Sequence, residues 1–178
     1  LCKKITGGGW IEALENNIKN RKEVELSIAF NNNTPAIKKL SGENVDYYQI
    51  PSGRKSRIMN IVKKHFAIID NSKNIENNLT IIDTVKPDII HVFGSEADFG
   101  LMADYTRTPV LLHIQGVLTY YIDHWFPPGY TNYKILINSS MYQLVTGSSY
   151  FHQYYSFKKA AARERKIYAH LKYISGRT

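Results

Sequence analysis

Cysteine is nearly absent: Cys2 is the only one in 178 residues. A disulfide scaffold and a cysteine-based zinc site are therefore excluded within the chain, and a reducing, cytosolic setting is expected. Long apolar runs are missing too; none approaches the roughly 18 residues that a membrane span needs. No signal peptide is visible from Leu1 onward. There is no internal repeat, and the patch Asn31-Asn32-Asn33 is too short to be a low-complexity tract. His65, His124, His152 and His170 show neither H-x-x-x-H nor H-E-x-x-H spacing, so no metal site is expected. A G-x-S-x-G elbow and a Walker loop are lacking as well, which argues against serine-hydrolase and P-loop chemistry.

What is present suits one α/β domain over residues 1–178. Hydrophobic residues make up 43% of the chain, enough for a single core. The formal net charge is +8, but its lysines and arginines are scattered and no nucleic-acid-binding motif accompanies them. A solvated basic surface is the expected reading, with attraction to an anionic membrane face second. The sequence opens on Leu1 rather than methionine and stops at Thr178 just after a short apolar stretch, and so reads as a fragment of something longer.

Trp10, Leu14 and Ile18 recur at helical spacing behind Gly7-Gly8-Gly9, with Glu12 near the helix start. Val24–Phe30 and Tyr47–Ile50 read as short strands. Residues 57–85 are helical in pattern, with one stripe at Ile58, Ile61, Val62 and Phe66 and another at Ile75, Leu79, Ile82 and Val85. A break is expected at Asn71-Ser72. Pro87 then forbids further helix. Asp88–Phe93 and Val110–Ile114 are near-continuous apolar runs, the signature of parallel strands covered on both faces. Between them Asp98–Tyr105 predicts a short helix. Residues 119–133 predict an irregular aromatic loop, and helices are expected over Met141–Tyr155 and Ala160–Leu171 before a last strand at Tyr173–Ser175. Alternating strands and helices predict an α/β domain, a Rossmann-like parallel sheet with helices on both faces. Such a domain normally has a strand before its first glycine loop, and nothing ahead of Gly7 reads as one.

Ligands of open parallel sheets bind outside the carboxyl ends of the strands. That rule selects Gly7-Gly8-Gly9, Gly94-Ser95-Glu96, His113 with Gln115-Gly116, and His91 just inside its strand. A triple glycine before a helix lets an oxygen-rich ligand approach the backbone and the first helical amides; by itself it also suits a plain flexible turn. It is not the dinucleotide fingerprint, because Trp10 and Ala13 occupy the later positions. His113 at a strand end suits either a structural imidazole or a donor facing the cleft, whereas His91, earlier in its strand, is expected to face the core. Glu96 and Asp98 form an exposed acidic pair that suits either helix capping or the binding of sugar hydroxyls, each carboxylate accepting two hydrogen bonds. The loop carrying Tyr120, Tyr121, Trp125 and Phe126 has two roles open to it: packing on its own domain, or stacking on sugar rings or a lipid surface.

Taken in order, "GGGWIEALENNI", "VELSIAF", "KPDIIHVFGSEADFG", "TPVLLHIQGVL", "HWFPPG" and "YISGRT" resemble the N-terminal half of bacterial glycosyltransferases of the large family four. The resemblance covers nearly the whole chain and is nearest to a subgroup from surface-polysaccharide pathways. It implies one half of a GT-B fold, with two Rossmann-like domains facing across a cleft. It further implies transfer with retention from a nucleotide-sugar donor to a glycan or lipid-linked acceptor, without metal or other cofactor.

Matched residue by residue, the glycine loop beside donor diphosphate and acceptor falls on Gly7, Gly8 and Gly9. The histidine that contacts the transferred sugar falls on His113, and acceptor contacts fall on Glu96 and Asp98, beside Gln115 and Gly116. The donor-binding domain is expected outside these residues, so the isolated chain is expected to be inactive. From the cysteine usage, the positive charge and the aromatic loop, a cytoplasmic protein is expected, peripheral on the inner membrane face, with no nucleic-acid partner. The rival is a non-catalytic Rossmann-like module that binds a nucleotide or partner, which fold alone does not exclude.

Overall fold

A computed structural model describes residues 9–52, 57–68 and 71–176. Gly7, Gly8 and the position of any strand ahead of them lie outside the described residues. The chain divides into two compact units, residues 1–54 and 55–178, and each is described by itself.

In the first unit, helix α1 (Gly9–Ile18) precedes strands β1 (Leu26–Asn32), β2 (Lys38–Gly42) and β3 (Val45–Pro51). β3 lies in the middle, parallel to β1 and antiparallel to β2. It is the strand with the apolar content to be central: Val45, Tyr48 and Ile50 are buried. The sequence pattern placed β1 and β3 within about two residues at each end. It missed β2, whose Lys-Lys-Leu-Ser-Gly composition carries almost no strand signal but suits an edge, where lysine discourages further pairing. The β2–β3 turn is tight because Asn44 accepts φ 58°, a left-handed conformation that asparagine tolerates. Tyr47 donates to Glu15 Oε1 at 2.6 Å, which ties the sheet to α1.

The second unit is built on three parallel strands in the order β4 (Ile90–Phe93), β5 (Val110–Ile114), β6 (Tyr173–Gly176). Helix α3 (Ser72–Val85), a 3-10 helix over Phe99–Asp104 and helix α7 (Tyr150–His170) cover one face. There Val92, Met102, Val110, Leu112 and Ile167 form the core, with Ile82, Ile90 and Leu101 against it. The parallel α/β architecture read from the alternating pattern is thus what the chain adopts.

Three local expectations are corrected. Helix α2 (Arg57–Phe66) exists, but its stripe is not core: Ile58 is 76% and Phe66 68% exposed, and Val62 is exposed too. Second, Met141–Tyr155 is not one helix. Gly147, at φ 66°, ends α6 (Met141–Thr146), and Ser149 caps a new helix, α7, which runs through to His170. Both serine caps, Ser140 and Ser149, sit at positions that satisfy orphan amides of a first turn. Third, the aromatic segment expected to be irregular contains α4 (Leu118–Asp123) and runs into α5 (Asn132–Ile137). Leu118 and Ile122 of α4 bury against Ala161 of α7. Trp125 stacks near Phe157, with ring centroids 4.7 Å apart, and Phe126 near Tyr154, at 4.9 Å. These two aromatics therefore pack on their own unit.

Candidate functional site

At the carboxyl edge of β4 the chain turns through Gly94, whose φ of 84° suits glycine. Its amide donates to His113 O at 2.9 Å, which binds the edge of β4 to the end of β5. The Glu96 side chain lies over both post-strand glycines. A Cβ at Gly94 would fall 2.3 Å from Glu96 Oε2, and one at Gly116 would fall 3.1 Å from Oε1. The two glycines thus clear the space in which an exposed carboxylate crosses the ends of both strands.

His113 is half-buried at the end of β5, with Nδ1 3.0 Å from Ser175 Oγ of β6. Its ring centroid lies 6.1 Å from His91 and 6.0 Å from Phe93. His91, expected to face the core, lies on the exposed side of its strand, because alternation sends Ile90 and Val92 inward instead. Its ring packs on Phe93 at 4.1 Å. The desolvation this causes, and then the nearby His113 imidazole, hold its pKa below the ordinary histidine range.

Asp98 departs from expectation. It is 7% exposed, not part of an exposed pair, and its side chain does not cap the 3-10 helix that follows. It accepts instead from Asn74 Nδ2 of α3 at 2.9 Å. Turned inward, Asp98 is removed from the edge that Glu96 occupies. Gln115 is exposed and Gly116 half-buried in the loop after β5. Gly9 begins α1 in the first unit, with nothing near its missing Cβ. The structure therefore brings together Glu96, Gly94, Gly116 and His113, and leaves Asp98 out.

Beneath this edge lies a buried polar network that the sequence did not announce. Glu164 of α7 is fully buried. Its Oε1 accepts from Ser95 Oγ at 2.5 Å and from the Leu118 amide at 3.1 Å; its Oε2 accepts from the Thr119 amide and hydroxyl, both at 2.8 Å. Burial raises a carboxyl pKa, but these four bonds outweigh it and hold Glu164 below the usual range. Ser95, also fully buried, accepts from Tyr168 at 3.1 Å, and its hydroxyl has Gly116 O as a second acceptor at 3.1 Å. Arg163 donates to Glu96 O and, at 3.2 Å, to Asn71 Oδ1. One carboxylate thus caps α4 and fixes the loops after both β4 and β5.

The one signal for Glu164 was its spacing: Ala161 and Ile167, one turn to either side, are both buried. Neighbouring Arg163, Arg165 and Lys166 masked it as part of a solvated charge run.

An open depression in the first unit is lined by Lys19, Arg21, Glu25, Leu26, Val45 and Asp46. It adjoins the amino ends of β1 and β3, the edge opposite to that where ligands of such sheets bind. Among the described residues no group of three or more histidine, cysteine, aspartate and glutamate side chains is placed to hold a metal ion, and no helix is long and apolar enough to cross a membrane. Comparison with family models, with curated proteins and with solved structures gives no match.

Proposed function

We propose that this chain supplies the acceptor side of a retaining, nucleotide-sugar-dependent glycosyltransferase that acts at the cytoplasmic face of a membrane on a glycan or lipid-linked acceptor. The observation that supports this reading best is the edge formed by β4 and β5. There an exposed Glu96 carboxylate and the His113 imidazole accompany two loops locked from below by Glu164. Fixed loops matter because a site that orients hydroxyls must hold its groups in place before the sugar arrives. Glu96 is suited to accept two sugar hydroxyls at once. His113 is suited to bond one hydroxyl of the transferred sugar. In the reaction the bond from the anomeric carbon to the diphosphate breaks, the acceptor oxygen bonds to that carbon on the same face, and the acceptor proton leaves with the phosphate oxygen. Gly7, Gly8 and Gly9 remain the proposed approach for the diphosphate, while Asp98 carries a structural role.

The test is His113→Ala and Glu96→Gln in the complete polypeptide that carries these residues, with kcat, KM and the melting temperature measured on one preparation. If His113 bonds the sugar mainly in the transition state, its loss lowers kcat and kcat/KM together, by about 30- to 1000-fold. A destabilised His113→Ala protein with near-normal kcat per folded molecule rejects the role.

A further inference from the structure

The second unit carries an apolar surface of an unusual composition. On α2, Ile58, Met59, Val62 and Phe66 follow one side of the helix and are all exposed. At the end of that helix His65 Nε2 donates to Val145 O of α6 at 2.8 Å, and Gly147 lies against Lys64. The exposed face of α2 is thereby joined to that of α6, where Met141 is 74%, Tyr142 73% and Val145 64% exposed. Helix α5, which precedes α6 in the chain, also exposes Tyr133 and Ile137. Soluble surfaces scatter such residues singly; a contiguous set marks a contact.

The charges on the same elements all have one sign. Helix α2 contains no aspartate or glutamate and carries Lys63 and Lys64. From His124 to Arg163 there is likewise no acidic residue, while Lys134, Lys158 and Lys159 are present. Lys159 Nζ donates to Phe66 O at 2.7 Å, so this cation sits at the rim of the α2 face. A second copy of the chain is a poor occupant, because a two-fold contact sets each patch against itself, lysine toward lysine. Exposed aromatic, aliphatic and methionine side chains beside Lys64 and Lys159, on segments without a carboxylate, match the boundary of an anionic bilayer. There aromatic rings sit at headgroup depth and amphipathic helices lie in plane.

From this we infer that the α2–α6 face is a membrane-docking surface that lies on anionic lipid. The inference holds whether or not the chain is a transferase, since it uses none of the β4–β5 edge.

The experiment is co-sedimentation of the 178-residue chain with phosphatidylcholine vesicles, with and without about a third of phosphatidylglycerol, at low and at high salt. Binding to the anionic vesicles, weakened by salt and near absent with phosphatidylcholine alone, is expected. Phe66→Asp and Met141→Asp, on separate helices and both solvent-exposed, should each lower partitioning about tenfold with an unchanged melting temperature. Equal binding to neutral and anionic vesicles, no binding to either, or full binding by both folded variants overturns the inference. A chain that self-associates yet stays in the supernatant does so too, and assigns the face to a second copy.

Discussion

Replacing Glu164 by glutamine removes one oxygen and a charge while keeping the shape. In the native arrangement each carboxylate oxygen faces one backbone amide and one hydroxyl: Oε1 the Leu118 amide and Ser95, Oε2 the Thr119 amide and its hydroxyl. Whichever oxygen becomes an amide group, a donor then meets a donor. The hydroxyl can rotate away, Ser95 toward Gly116 O for instance, but the backbone amide cannot. A buried N–H is left without an acceptor, and the remaining bonds lose their charge assistance. Hydrogen bonds to a charged group contribute about 1.5–3 kcal/mol each, so the loss is about 3–5 kcal/mol. For a chain of this size that is a drop of about 6–20 °C in melting temperature.

Circular dichroism melts and urea titrations at neutral pH measure it. The pH dependence supplies a second check. Because the folded-state pKa is depressed, the carboxylate's contribution is present above about pH 4.3 and disappears as pH falls through the lower folded value, so wild type and Glu164→Gln should converge in acid. A loss under about 1 kcal/mol at neutral pH, or a gap that persists in acid, would refute the idea that this carboxylate holds the loops.

His152 of α7 is buried, with Ser149 Oγ 2.7 Å from its Nδ1 and His65 Nδ1 2.9 Å from its Nε2, and burial, then His65, lower its pKa. A lowered histidine pKa means the folded state binds fewer protons, so stability should fall as pH drops from about 6.5 through the folded value, as it should for His91. Melts should show a shallower acid loss in His152→Gln than in wild type; equal slopes place the effect elsewhere. Lys86, exposed, ends α3 in the left-handed conformation at φ 52°. Lys86→Gly should stabilise by about 0.5–1 kcal/mol in urea titration, and destabilisation contradicts the reading of strain at that position.

Sequence pattern was informative where a strand is short and apolar. β5 could be read to the residue and β4 to within two, because the near-continuous apolar runs Ile-Ile-His-Val-Phe and Val-Leu-Leu-His-Ile, set off by Pro87 and Pro109, leave few alternatives to a strand. β2 escaped because an edge strand need not be apolar. The stripe on α2 shows the reverse failure: periodicity reports an apolar face without saying what lies against it. At the β4–β5 edge the strand-end rule found Glu96, His113 and Gly116, since those positions follow from topology. It misplaced Asp98, because whether a side chain after a strand points outward depends on a partner such as Asn74, far away in sequence. Glu164 lay furthest from reach: a buried ion is held by donors from two separate segments, Ser95 and Leu118-Thr119, and no local pattern records them.

Helix α7 serves as a common reference for much of the second unit. Along it, in order, His152, held by the capping Ser149, meets His65 of α2, Lys159 holds the end of α2, Arg163 holds Asn71 and the Glu96 carbonyl, and Glu164 holds the loops after β4 and β5. These attachments leave the helix at fixed angles, because each residue turns the axis by about 100°. Lengthening a surface loop leaves those angles alone. One residue inserted into the middle of α7 rotates everything beyond it, so that Glu164 swings away from its donors while Ser149 stays with His152. Length variation in this unit should therefore collect in the segments α7 holds, and spare the 21 residues of the helix that holds them.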